Sequence, residues 1–200
     1  MNVRYITIER EYGSGGTAIA AQAAQTCGIA CYGSEILETV AHRQHSSIEE
    51  LQQYEETVSN SFLYSLFVMS QSQTGNPDLL SHEAKLFVAE AQVIQELAKA
   101  GPAIFVGHCA SQALKDQEGV LRVFIHADEE TKYRRITEQY GIPHDLAYST
   151  YRKFNKRRAN YYSFCTQRKW NDYANYDIVL DSARLGIDGC AAALSALYKN

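Results

Sequence analysis

The segment from residue 5 to residue 28 constrains the fold of this chain more than any other. Tyr5-Ile6-Thr7-Ile8 is short, β-branched and apolar, and predicts a buried strand. Gly13, Ser14, Gly15 and Gly16 follow, and small residues from Thr17 to Ala24 then predict a helix packed close to a sheet. Gly28 stands where a left-handed helix cap is expected. A strand that enters a glycine-rich turn and leaves it as a helix gathers several backbone N–H groups around one concavity. The helix dipole adds partial positive charge there, so an anion is held without any particular side chain. Glycine suits such a loop because a phosphate must approach the backbone closely. A plain flexible turn would also use glycines, but the strand before and the helix after favour a phosphate site.

Set against the phosphate-loop pattern G-x-x-x-x-G-K-[ST], Gly15 takes the last glycine, Gly16 stands at the lysine and Thr17 at the hydroxyl position. Arg10 occupies the place of the first glycine. The lysine of that pattern meets the β- and γ-phosphates. Its charge must therefore come from elsewhere, and Arg10 or a basic residue from 152–158 is the candidate. Thr17 is the candidate magnesium ligand, although capping the helix is an equally good use for it.

The remaining chain alternates strands and helices. Ile29–Tyr32, Ala103–Val106, Leu121–Ile125 and Ile178–Leu180 are predicted strands. Helices are predicted from Ser34, over 47–73, over Leu79–Ala100 (stopped by Gly101-Pro102), after Asp128-Glu129-Glu130, and over 187–198. Such alternation implies an α/β fold with a mostly parallel sheet covered on both faces. Two hundred residues without repeat or linker make one domain, able to bury roughly 70% of the surface of its unfolded chain. A net charge of −4 argues against a general nucleic-acid or membrane-surface binder, so an anionic ligand needs a local basic cluster. No apolar run approaches the roughly 20 residues that cross a bilayer. No secretory signal is visible, and a cytoplasmic location is expected. The five cysteines are odd in number and scattered, which points to free thiols.

That cluster lies in 143–172, where seven Lys or Arg residues are interleaved with Tyr148, Tyr151, Tyr161, Tyr162 and Trp170. Charge runs are usually solvated helix faces. The interleaved tyrosines, and a glycine loop elsewhere in the chain, favour instead a basic lid closing over phosphates through Arg152, Lys156, Arg157, Arg158 and Arg168.

Several stretches together resemble a known family. Ile6-Thr7-Ile8-Glu9-Arg10-Glu11-Tyr12-Gly13-Ser14-Gly15-Gly16 is similar to the opening of the cytidylate kinase-like proteins, a branch of the P-loop nucleoside monophosphate kinases, including the glycine in place of lysine. Ile104–Ala110 resembles that family's strand ending in Gly-Arg-Cys-Ala. Arg157–Tyr162 resembles its basic, tyrosine-rich lid, and Trp170–Asp172 with Asn175–Asp177 its Trp-Gly-Asp and Asn-Tyr-Asp segment. Three positions depart from the pattern: His108 replaces the usual arginine, Gly33 a frequent aspartate, and Asn171 a frequent glycine.

The resemblance implies a three-layer P-loop core formed by residues 1–40, 79–130 and 175–200. It implies a helical monophosphate-binding insertion over about 41–78 and a lid over about 131–172. It also implies transfer of the γ-phosphoryl group of ATP, with Mg2+, to a nucleoside monophosphate, CMP or dCMP in the first place. Catalytic roles fall to Arg10, Arg157 and Arg158, and ATP phosphates to Gly13, Ser14, Gly15, Gly16 and Thr17. The acceptor falls to His108, Arg134, Tyr161, Tyr162, Arg168 and Asp172. A structural histidine, aromatic packing of the lid and a helix cap are the plainer uses of His108, the two tyrosines and Asp128. Of Arg134 and Arg135, one is expected to reach inward; Asp172 and Asp177 are expected to orient lid arginines. Phe62, Leu66, Phe67 and Met69 suit a core or a homodimer face. Two other functions fit the missing lysine and His108: a nucleotide-binding sensor without catalysis, or a kinase for another small substrate.

Overall fold

The structure is a computed structural model that describes residues 2–51 and 82–199. Five strands, β1 (Tyr5–Arg10), β2 (Ala30–Tyr32), β3 (Ala103–Val106), β4 (Val120–His126) and β5 (Ile178–Asp181), form one parallel sheet in the order β2-β3-β1-β4-β5. The first strand sits at the centre, with Ile6 opposite Ile104 on one side and Leu121 on the other.

Alternation along β1 sends Ile6 and Ile8 to one face of the sheet and Tyr5 to the other. The first face is covered by α1 (Gly16–Cys27) and α7 (Ser182–Lys199), the second by α2 (Ser34–Gln44) and α3 (His82–Ala100). In α1, Ile19, Ala20, Ala23 and Ala24 form one buried stripe, and their small size draws the helix close to the strands. Helices on both faces explain why the strands are mostly apolar rather than strictly alternating with polar residues.

Gly28 caps α1 in the left-handed conformation. Asp128 caps α5 (Glu129–Arg134) by accepting a hydrogen bond from the Thr131 amide at 2.7 Å. Helix α5 runs straight into one π turn, Arg135–Gln139. A one-turn helix α4 (Ala110–Ala113) follows β3, and α6 (His144–Thr166) is a single 23-residue helix carrying most of the basic segment. The closing helix, expected over 187–198, is joined at a kink at Gly186 to a turn beginning at Ser182.

A third apolar cluster, Cys109, Phe124, Tyr161, Tyr162, Trp170 and Tyr176, fastens the end of α6 to the sheet. Residues 48–51 are helical; the rest of the helix expected over 47–73, with Phe62, Leu66, Phe67 and Met69, lies outside the described residues. All five cysteines are free thiols. Among the described residues no helix is long and apolar enough to cross a membrane.

Candidate active site

Ligands in open parallel sheets bind beyond the carboxyl ends of the strands. Here β1 ends at Arg10 and enters the loop Glu11–Gly15 before α1 begins. Gly13 and Gly15 adopt left-handed backbone conformations, with φ of 81° and 78°, that a side chain would strain. No side chain caps the first turn of α1, so its amide groups face the cavity of about 240 Å³ lined by Arg10, Tyr12, Gly13, Gly15, Gly16, Thr17 and Arg158.

The loop is braced from behind. The Arg135 guanidinium donates to the Gly13 carbonyl at 3.3 Å and to Ser182, through Oγ at 2.9 Å and the carbonyl at 3.1 Å. The Ser182 hydroxyl in turn donates to the Ser14 carbonyl at 2.6 Å. Beside it, the buried Lys132 ammonium donates to Glu11 at 2.8 Å and to the Tyr151 hydroxyl at 3.0 Å. These contacts fix the loop's shape without a ligand. Such preorganisation is what a phosphate cradle needs.

Helix α6 lies over the loop. Tyr12 stacks on Phe154 at 4.5 Å between ring centres, and its amide donates to Asn155 Oδ1 at 2.8 Å. The Arg158 guanidinium donates to the Arg10 carbonyl at 2.9 Å and lies over the Tyr12 ring. Burial, and next the positive charge of Arg10, push Arg158 down to about 9. Two guanidinium groups held together in a sheltered site make it strongly attractive to an anion.

A second, larger cleft of about 420 Å³ opens on the other side of Arg10. Arg10, Thr17 and Arg158 line both cavities, whereas Arg157, His108, Tyr161, Tyr162, Gly33 and Glu38 line only the larger. At its floor Glu9 is 7% exposed and accepts a hydrogen bond from the Trp170 indole at 3.1 Å. Burial raises the Glu9 carboxyl above its ordinary range, against the pull of Arg10, Trp170 and Arg158. His108 reaches the cleft from the turn after β3, where it and Cys109 are both left-handed.

The structure therefore brings together Arg10, Arg157, Arg158, Gly13, Gly15, Gly16, Thr17, His108, Tyr161 and Tyr162. Ser14 is fully buried beneath the loop, its hydroxyl donating to the Glu11 carbonyl at 2.8 Å. Three residues expected at the acceptor lie elsewhere. Arg134 is exposed and lines neither cavity, whereas Arg135, three residues on from the buried Lys132 and so on the same helix face, turns inward. Arg168 is exposed beyond the end of α6. Asp172 caps the short 3-10 turn Tyr173–Asn175 by accepting from the Ala174 amide, and orients no arginine. Asp177 holds Arg122 on β4, at 2.7 Å and 3.0 Å, rather than an arginine of α6. Within the basic segment only Arg157 and Arg158 turn into the clefts; Arg152, Lys153 and Lys156 are exposed.

Glu9, Tyr12, Asn155 and Ser182 join the site without having been expected from the sequence. A charged residue at the end of an otherwise apolar strand was the available signal for Glu9; nothing local marks Asn155 or Ser182.

A central strand, phosphate-type loop and helix within a 2-3-1-4-5 parallel sheet define a kinase-like P-loop fold. The chain belongs to the cytidylate kinase-like family, whose model matches residues 5–184. An uncharacterized protein from Eubacterium ventriosum ATCC 27560 is similar in structure, with a TM-score of 0.71, 23% identity and 98% of each chain covered. Shikimate kinase from Bacteroides thetaiotaomicron superposes with a TM-score of 0.56, 14% identity and 98% coverage of each chain. No curated protein matches the sequence.

Proposed function

We propose that the protein transfers the γ-phosphoryl group of ATP to a nucleoside monophosphate, with CMP or dCMP the first acceptor to test. One observation carries this reading: a phosphate-loop cavity and a larger cleft meet across Arg10, Thr17 and Arg158. A group bound in the loop and an acceptor in the cleft would face each other over those two cations.

Phosphoryl transfer asks for positioning and for charge stabilisation more than for covalent chemistry. The amides of Gly13, Gly15, Gly16 and Thr17 would hold the β- and γ-phosphates. Arg10 and Arg158 would stabilise the charge spread over the equatorial oxygens as the acceptor phosphate oxygen attacks and the bond to ADP breaks. Arg157 and His108 would hold the acceptor's phosphate, and Tyr161 and Tyr162 wall the cleft behind it. Mg2+ would supply further charge neutralisation, and the Thr17 hydroxyl would be its ligand from this chain. The donor chemistry fits: the Thr17 hydroxyl lines the loop cavity, and magnesium in kinases is held largely by phosphates and water.

Release of ADP from magnesium ATP, measured with each nucleoside monophosphate and a panel of small hydroxyl acceptors, tests the proposal. No turnover with any acceptor overturns it. A second reading, nucleotide binding without transfer, is favoured by the absence of a lysine at Gly16. Calorimetric ATP binding with no turnover would establish that reading.

A further inference from the structure

We infer that Glu90 orients the His108 ring and, together with the acceptor's phosphate, stabilises it as an imidazolium, so that nucleoside monophosphate capture takes up a proton. The inference rests on the acceptor cleft assigned above.

Glu90 sits on the inward stripe of α3 with Leu86, Val93 and Ile94, and is completely buried. A carboxylate in such a stripe is costly unless charged or polar partners meet it. One oxygen lies 2.7 Å from His108 Nδ1, and the other accepts the hydroxyl hydrogen of Tyr161. The ring of His108, with its side chain 13% exposed, thus stands between a buried carboxylate and the cleft it lines. Its backbone is left-handed at φ 56°, followed by Cys109 at 49°. Consecutive non-glycine residues in that region persist only where the surroundings over-determine them, typically at ligand clamps. Tyr161 belongs to α6, so Glu90 also ties the histidine to the helix carrying Arg157 and Arg158.

Among the described residues, the elements around His108 contribute charge of both signs. Helix α3 presents Glu90; β1 presents Glu9 and Arg10; α2 presents Glu35, whose Coulombic partners include His108. Helix α6 presents Arg157, Arg158 and the Tyr161 hydroxyl to the same cleft. The three carboxylates favour the imidazolium and the three guanidiniums oppose it. An acceptor phosphate adds negative charge to the cleft and tips that balance. Protonation and acceptor binding then reinforce each other, as linkage requires. A phosphate monoester itself titrates near pH 6, and binding its dianion would release a proton. Proton uptake at neutral pH therefore points to the histidine.

The test is calorimetric titration with CMP in buffers of different ionisation enthalpy, with ATP titrated in parallel. Wild type is expected to take up protons on binding CMP, and to lose about tenfold in CMP affinity between about pH 6.5 and about pH 8.5. His108→Arg carries a permanent charge, so its CMP binding should show neither proton uptake nor that loss. Glu90→Gln should move the loss to lower pH and weaken CMP binding more than ATP binding.

Equal proton uptake in wild type and His108→Arg overturns the inference, as does CMP that fails to bind at any pH. Glu90→Gln weakening ATP and CMP alike, with a lower melting temperature, would make Glu90 merely structural and overturn it too. CMP binding with proton uptake but no turnover supports this inference while removing the kinase reading. Turnover with proton-independent CMP binding does the reverse.

Discussion

Gly16 has no room for a side chain because Arg10 stands where one would go. A Cβ at position 16 would lie 2.8 Å from Arg10 Cγ and 2.7 Å from Arg10 Cβ, which the strand backbone fixes in place. The glycine in place of the P-loop lysine and the arginine at the end of β1 are one arrangement. Gly107 completes it from the other side, since a Cβ there would collide with the Arg10 guanidinium. The position that usually supplies a cation has given its space to a cation from the strand.

Restoring the lysine is therefore expected to harm the protein. Gly16→Lys forces Arg10 or the start of α1 to move, and overpacking of this kind costs about 1–3 kcal/mol. Thermal unfolding and ATP titration check it: both stability and affinity should fall. A gain in ATP affinity would show that Arg10 does not stand in for the lysine.

Arg10→Ala should leave the fold closer to intact, because the change creates space instead of overlap, while removing the cation shared by both cavities. Losing a charge-stabilising donor typically lowers kcat by about 100- to 1,000-fold. The measurement is kcat with the best acceptor, and a loss under about tenfold would count against the assignment.

The layered fold was legible because each strand is a short apolar run bounded by breakers, and both ends of α1 carry glycine signals. Asp128 was legible as a cap for the same reason: capping is a local rule written in neighbouring residues. The site was legible only where it lies within the glycine loop or on the inner side of α6. Arg134 and Arg135 could not be separated because neighbouring arginines carry the same local signal, and the partners that hold Arg135, Gly13 and Ser182, are 122 and 47 residues away. Glu90 was hidden because one carboxylate in a long helix ordinarily marks the solvent side. Its partners are 18 and 71 residues away, a proximity no local pattern encodes. Arg168 and Asp172 share a segment with true cleft residues, but α6 ends at Thr166 before reaching them.

The two neighbouring arginines make a paired prediction. Arg135 donates three hydrogen bonds beneath the loop and is 7% exposed. Arg135→Ala orphans the Gly13 carbonyl and Ser182, and hydrogen bonds of charged groups are worth about 1.5–3 kcal/mol each. It should lower the melting temperature and ATP affinity together. Arg134→Ala, on the exposed side, should stay within about 0.5 kcal/mol of wild type by urea unfolding. Equal effects of the two substitutions would contradict the bracing role.

The pair of Asp177 and Arg122 gives an acid-side prediction. Hydrogen bonds from Arg122, its side chain first and then its amide, hold the Asp177 carboxyl below its ordinary range. The folded value is the lower one, so this contribution is present above the unfolded value and lost as pH falls through the folded value. Both side chains are about a third or more exposed, at 45% and 32%, so the contribution is small, under about 1 kcal/mol. Asp177→Asn should flatten the acid limb of a stability profile below about pH 4. It should leave the ATP KM unchanged, since Asp177 lines neither cavity.

Arg158 sets stability against function. Burial and the neighbouring Arg10 charge lower its folded value to about 9 from an ordinary 12.5, so the folded chain holds that proton less tightly than the unfolded one. The sign follows: the charge opposes folding below about 9, and the opposition is relieved as pH rises from there toward the unfolded value. A bound phosphate relieves it at neutral pH instead, by giving both guanidiniums a counter-charge. Arg158→Met, which keeps the stem and removes the charge, should leave the ligand-free protein as stable as wild type or more so, yet cut turnover by about 100-fold or more. Differential scanning calorimetry with and without inorganic phosphate reads the rest. Phosphate should raise the melting temperature of wild type more than that of the variant at neutral pH, and the difference should shrink above about pH 9.5. A variant markedly less stable than wild type without ligand would mean that Arg158 is held for the fold, and the two-cation account of the site would fail.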